Sequence, residues 1–204
     1  WSNLPPLENL KGKIRITDTN PEFEDISANF LGGNLKIATA PSSAGIQNYS
    51  VVGDISANFI KNYFANTAKS ESASLLNAMS GAAKYEGVLS FNKSGSETNL
   101  KFDLRDWASA APIPAQKLKG SPLLGQVTIK TNPASKTGAA STSWMAKLGD
   151  LYTIQGELNS DGEIRSALGV GAPATLSQQG FNLNLAANEL NLDSWIDFFG
   201  SQDK

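Results

Sequence analysis

Ser90 stands three residues before Lys93 in "SFNK", the spacing of acyl enzymes whose lysine activates a serine. That chemistry needs both side chains on one helical face. Here the pair sits where an alternating segment runs into a loop, so the spacing is read as coincidence. "NSDGE" at 159–163 places Asn159, Asp161 and Glu163 at alternate positions, as a calcium loop begins. The bidentate glutamate that closes such a loop would fall on Val170, which is apolar. A hairpin turn is the reading instead. "GVGAPA" at 169–174 lacks the third glycine of a dinucleotide fingerprint, and no helix follows.

The remaining charged groups are no closer to a reactive centre. Asp103, Arg105 and Asp106 read as a solvated strand end with a local ion pair. Glu22, Glu24 and Asp25 read as a wet strand face. The chain has no His and no Cys. The commonest general base and metal ligand is therefore missing, as are thiolate chemistry and disulfides. With 17 basic and 19 acidic residues and no run of either sign, there is no basic footprint for nucleic acid. Trp1, Trp107, Trp144 and Trp195 are spread out and read as packing residues. The chain is expected not to be an enzyme, and to hold neither metal nor cofactor.

What the sequence does carry is regular alternation. With 204 residues, 40% of them apolar, it folds and buries a core. Leu10, Gly12, Ile14 and Ile16 alternate with Lys11, Lys13 and Arg15. The same period recurs in Ile26–Phe30, Leu35–Thr39, Tyr49–Ile55, Tyr85–Phe91, Leu100–Leu104, Val127–Thr131 and Trp144–Leu148. It continues through Tyr152–Leu158, Ile164–Val170 and Phe181–Ala187. Period-2 alternation marks strands with one buried and one wet face, hence antiparallel sheet. Roughly eleven strands are predicted. "LGGN" at 31–34 and "NSDGE" read as tight turns, "NKSGSE" at 92–97 as a longer hairpin loop, and "NPASKTGAAS" at 132–141 as a polar loop.

Helical periodicity is confined to a pair of segments at about 56–80 and a last turn near "NLDSWIDFFG". Phe59, Ile60, Tyr63 and Phe64 share one helical face, with Ser56 placed to cap it. The second helix runs from Ser70 to about Ser80, with Gly81 as its stop. The last turn, or an amphipathic strand end, would be capped by Asp193 or Ser194. The hexapeptide "DISANF" occurs twice, at Asp25–Phe30 and Asp54–Phe59. The first copy is predicted to be strand throughout, the second to pass from strand to helix near Ser56. The fold class is mainly β, a long curved antiparallel sheet with the helical pair inserted. One domain, 1–204, is expected, with a possible sub-boundary in the Pro-rich stretch 107–122. The chain begins at Trp1, carries no signal peptide and is read as part of something longer.

Residues 89–129, "LSFNKSGSETNLKFDLRDWASAAPIPAQKLKGSPLLGQVTI", resemble the YhdP family of AsmA-like proteins. Asp103-Leu104, Pro112, Pro114, Lys117 and Pro122-Leu123 match that family's run. In the tail, Leu190, Leu192, Asp193 and Trp195 stand in its "LDLDxW" places, and 49–64 and 4–18 are similar too. Arg105 and Trp107 stand where small or aliphatic residues are usual. The resemblance implies a periplasmic segment of a long inner-membrane-anchored protein with a groove-like sheet, supporting transport of phospholipid towards the outer membrane. On that reading Ile14, Ile16, Phe30, Ile37, Val51, Leu89, Phe91, Leu100, Phe102, Val127 and Ile129 line the groove and face lipid. Phe59, Ile60, Tyr63 and Phe64 form a capping helix. Partners would be phospholipid acyl chains, envelope proteins and neighbouring segments of the same chain. The alternative is a non-catalytic structural or protein-interaction module of the envelope.

Overall fold

Period-2 alternation gives a strand only if neighbouring strands supply partners for every second backbone group. Here they do so across one unbroken ladder. The computed structural model describes residues 5–16, 21–43, 45–64, 70–134, 139–187 and 189–200. The strands are β1 (Glu8–Ile16), β2 (Pro21–Phe30), β3 (Gly33–Ser43), β4 (Ile46–Ser56), β5 (Met79–Asn92), β6 (Gly95–Asp103), β7 (Trp107–Ser109), β8 (Leu124–Asn132), β9 (Ser141–Leu148), β10 (Tyr152–Asn159), β11 (Ile164–Val170) and β12 (Gly180–Leu185). They join in one 12-stranded sheet in chain order, with β7 set aside on the end of β5. The helices are α1 (Ala57–Phe64), α2 (Ser70–Ala78) and α3 (Leu192–Gly200).

The ladder is antiparallel except between β11 and β12, which run parallel. That exception departs from the all-antiparallel expectation. Segment 171–179 crosses back over one face of the sheet. Asn182 and Asn184 of β12 donate to the carbonyls of Thr175 and Pro173, each at 2.8 Å. Gly169 lies beneath the crossing, where a Cβ would meet the Ala172 carbonyl.

Both copies of "DISANF" behave as their contexts demand. The first is strand to its end in β2; the second changes to helix after Ser56. Leu31 and Gly32, with φ of 53° and 76°, form the two-residue turn that ends the first copy. The loop expected at 92–97 is tighter than predicted: β5 and β6 pair as far as Asn92 and Gly95, leaving only Lys93 and Ser94 between them. Asn92 Oδ1 closes it by accepting from the Ser94 N–H at 2.7 Å.

Two helix ends also differ from expectation. α2 stops at Ala78, and Gly81 lies inside β5 with φ of 88°, where the Asp106 carbonyl crowds its missing Cβ. The glycine thus serves the β5–β7 contact, not a helix stop. α3 is a full helix, and Asn191 caps it, its Oδ1 accepting from the Ser194 N–H at 3.0 Å. Asparagine is as good an N-cap as aspartate or serine. Residues 135–138 of the loop at 132–141, and Trp1, lie outside the described residues.

Substantial strand–strand contacts run only between sheet neighbours, so the sheet is one open layer rather than a sandwich. Its accessible surface is 13456 Å². A compact protein of 21.6 kDa would expose about 9,200 Å². A single open layer exposes more surface than a compact fold of that mass.

Candidate functional site: an uncharged sheet face

Cross-strand register assigns each side chain to one face. Ile37 lies opposite Val51, Val51 opposite Gly87, Gly87 opposite Leu100, and Leu100 opposite Val127. The row continues through Ala146, Ile154, Leu168 and Leu183. A second row, nearer the helices, runs Leu35, Gly53, Tyr85, Phe102, Gly125, Leu148, Tyr152, Val170 and Leu185. No charged side chain occupies this inner face anywhere among the described strands. Even the bulge in β2 preserves the division. Asp25, with φ of 51°, is the extra residue that lets Phe23 and Ile26 face the same way. Phe23 stacks on Tyr49 of the inner face, ring centroids 4.6 Å apart.

The strand charges are all on the opposite face, and many of them meet a charge of opposite sign. Lys84 sits between Asp54 and Asp103, and Glu86 opposite Lys101. Glu97 meets Lys130 at 3.4 Å, Arg15 meets Glu24 at 3.1 Å, and Arg165 bonds Glu157. Asn99 and Lys130 together hold the Glu97 carboxyl below its usual pKa. Each exposed pair is worth little alone. Together they oppose register slips, because a one-residue shift would turn charges to the apolar side.

All the expected groove residues lie on the inner face. Val51 is 4% exposed, and Phe30, Ile37, Leu89, Leu100 and Phe102 pack around the buried cluster of Leu35, Val51 and Tyr85. Val127 and Ile129 are half-buried, and Phe91, Ile14 and Ile16 are exposed. The face is therefore closed over β2–β5 and opens towards both edges. Leu183 on β12 reaches 53% exposure and Ile16 on β1 86%.

Large side chains lie flat over glycines on this face. Tyr85 covers Gly53 and Trp144 covers Gly156, where a Cβ would clash with each ring. Tyr49, Tyr85 and Tyr152 all have their pKa raised by burial, with Asp54 adding to the effect at Tyr85. Their ordinary value is near 10, so the face stays uncharged at physiological pH. Tyr85 Oη is buried without a hydrogen-bond partner among the described residues.

The expected capping helix sits at one rim. Phe59 and Tyr63 stack at 5.8 Å, and Tyr63 meets Phe64 edge-on at 5.1 Å. α1 contacts α2, β4 and β5, so it does not roof the middle of the sheet. The same rim carries segment 105–123. Lys117 pins it, its Nζ donating to the carbonyls of Trp107 (2.7 Å), Ser121 (3.0 Å) and Leu118 (3.1 Å). Burial lowers the pKa of this ammonium, and Asp103 and Asp106 pull it back up. Tyr152 of the inner face donates to the Pro114 carbonyl, and Trp195 of α3 donates to that of Ile113 at 2.9 Å.

The reactive-looking groups are structural. Asp103 accepts from the Arg105 N–H at 2.9 Å, and no ion pair joins them among the described residues, contrary to the expected local pair. Asn159 Oδ1 accepts from the N–H groups of Asp161 and Glu163 at 3.1 and 2.9 Å, which makes a turn rather than a calcium loop. Ser90 is in β5 opposite Glu97, while Lys93 is in the turn. No three His, Cys, Asp or Glu side chains converge as metal ligands among the described residues. No described helix is long and apolar enough to cross a membrane.

The expected groove residues stop at β8, yet Ala146, Ile154, Leu168 and Leu183 extend the same row. Their alternation was the available signal. Lys117 was visible as a lysine between prolines, but its carbonyl ring depends on the path of the loop. The family model described as YhdP protein matches residues 2–203. No curated protein and no solved structure matches the chain.

Proposed function

The chain belongs to the YhdP family, and from that premise we propose that it is a segment of a lipid conduit of the bacterial envelope. Its role is to shield phospholipid acyl chains in the periplasm between the inner and outer membranes, with no chemistry of its own. The observation that carries the reading is the uncharged face, continuous across eleven paired strands with every strand charge on the other side. Taking a 16-carbon chain through water costs about 13 kcal/mol, at about 0.8 kcal/mol per CH₂. A trough of neutral side chains removes most of that barrier without a catalytic group. Exposed large apolar side chains on this face, among them Phe181, Leu183 and Ile16, support the same reading, since a contiguous apolar surface is normally covered by a partner or ligand.

The closed cluster of Leu35, Val51 and Tyr85 favours a second role for β2–β5, as a rigid structural module beside the open half. The test places photo-crosslinking residues at Phe102, Ile129 and Leu183, with Lys101 and Lys130 as outward controls, in the complete polypeptide in cells. Phospholipid adducts are expected at the inward sites alone. Their absence there, when a known conduit gives adducts under the same conditions, would overturn the proposal.

A further inference from the structure

The two rims of the inner face differ, and the difference orients a ligand. One rim is built over by α1, α2, α3 and the segment pinned through Lys117, Tyr152 and Trp195. Among the described residues the other ends in short turns, Lys93–Ser94 and Ser160–Gly162. Over β4–β9 polarity follows the same axis, whereas Leu158 and Ile164 keep the turn rim apolar at β10 and β11. The two rows nearest the helices contain only apolar residues, glycine and the tyrosines held neutral. The next row brings in Thr98 and Ser166, opposite Ile129 and Gly156. The row at the turn rim carries Ser96 opposite Thr131, and Thr131 opposite Thr142. Gln47, opposite Phe91, belongs to it too.

Resting on the conduit reading, we propose that this hydroxyl shelf is the subsite for the ester linkages of a diacyl glycerolipid. The acyl chains point to the helical rim and the headgroup leaves at the turn rim. The shelf is neutral and partly exposed, and its hydroxyl and amide donors suit ester carbonyls, which only accept. A free fatty acid would bring a carboxylate, and no inner-face cation is there to meet it. The dimensions agree. From Ser96 to Phe102 is six residues along β6, about 20 Å at about 3.4 Å per residue. One leaflet's share of a hydrocarbon core of about 30 Å is about 15 Å. A chain of that length anchored at the shelf therefore ends between Leu100 and Phe102, on the approach to the helical rim.

The test uses two photoreactive phosphatidylglycerols loaded into the complete polypeptide, one with a diazirine at the chain end and one beside the ester carbonyl. Labelled residues are mapped by mass spectrometry. The chain-end probe should favour Phe102 and Leu148 over Ser96 and Thr142 by about tenfold, the discrimination that about 1.4 kcal/mol provides. The ester-side probe should show the opposite preference. Equal or reversed labelling would overturn the orientation while leaving the conduit reading intact. No labelling by either probe would overturn both.

Discussion

Tyr85 shows at the scale of one residue what the inner face demands. Its ring fills the space that Gly53 leaves, and its hydroxyl is buried without a partner among the described residues. A buried hydroxyl left unpaired costs about 1–3 kcal/mol. Tyr85→Phe is therefore expected to stabilise the protein by about 1 kcal/mol, read as a higher urea midpoint with an unchanged slope. A lower midpoint would show that the hydroxyl is satisfied in solution. The raised pKa values of Tyr49, Tyr85 and Tyr152 give a second prediction. Below about pH 10 both folded and unfolded chains keep these phenols protonated. Above it the unfolded chain ionises first and binds fewer protons, so stability falls as pH rises. Thermal melts between pH 8 and 11 should show that fall, and a triple Tyr→Phe variant should flatten it.

Among the elements, segment 105–123 depends on one ammonium. Lys117 satisfies three carbonyls that a loop over a sheet rim would otherwise leave short of donors. Hydrogen bonds to a charged group are each worth about 1.5–3 kcal/mol. Lys117→Met keeps the stem and removes the donors. It should cost at least about 2 kcal/mol and speed amide exchange through 105–121, while the protection of β8–β10 persists. Uniform loss of protection across the sheet would show that the loop and the sheet unfold as one unit. The sequence marks this segment as irregular through its prolines. It does not show that a lysine inside it closes the loop, because the carbonyls of Trp107, Leu118 and Ser121 converge on one ammonium only once the loop has taken its path.

For the whole molecule the governing fact is a layer without a second layer. The inner face is closed around Leu35, Val51 and Tyr85 and grows more exposed towards β12. A charge introduced in the closed half is buried, whereas one in the open half meets only the ligand. Val51→Glu is expected to destabilise the fold by about 3 kcal/mol or more. Leu183→Glu, at a position 53% exposed, should leave the melting temperature within a few degrees, because an exposed substitution costs little. It should nevertheless abolish lipid adducts at neighbouring positions of the complete polypeptide. Equal destabilisation by both substitutions would mean that the face is closed along its whole length.

The amino-acid sequence by itself determined the strands, their two faces and the point where the second "DISANF" turns to helix. Alternation and helical spacing are local patterns, read within a few residues. It also determined that the face lacks charge, because Lys11, Glu86 and Lys101 all fall on the other parity of their strands. Tertiary structure alone decided the parallel β11–β12 pair, the docking of segment 105–123 against the inner face and the contrast between closed and open halves. Each of these depends on where distant segments meet: 171–179 over Gly169, Pro114 over Tyr152, Tyr85 across Gly53. Periodicity fixes which way a side chain points, but not what lies above it.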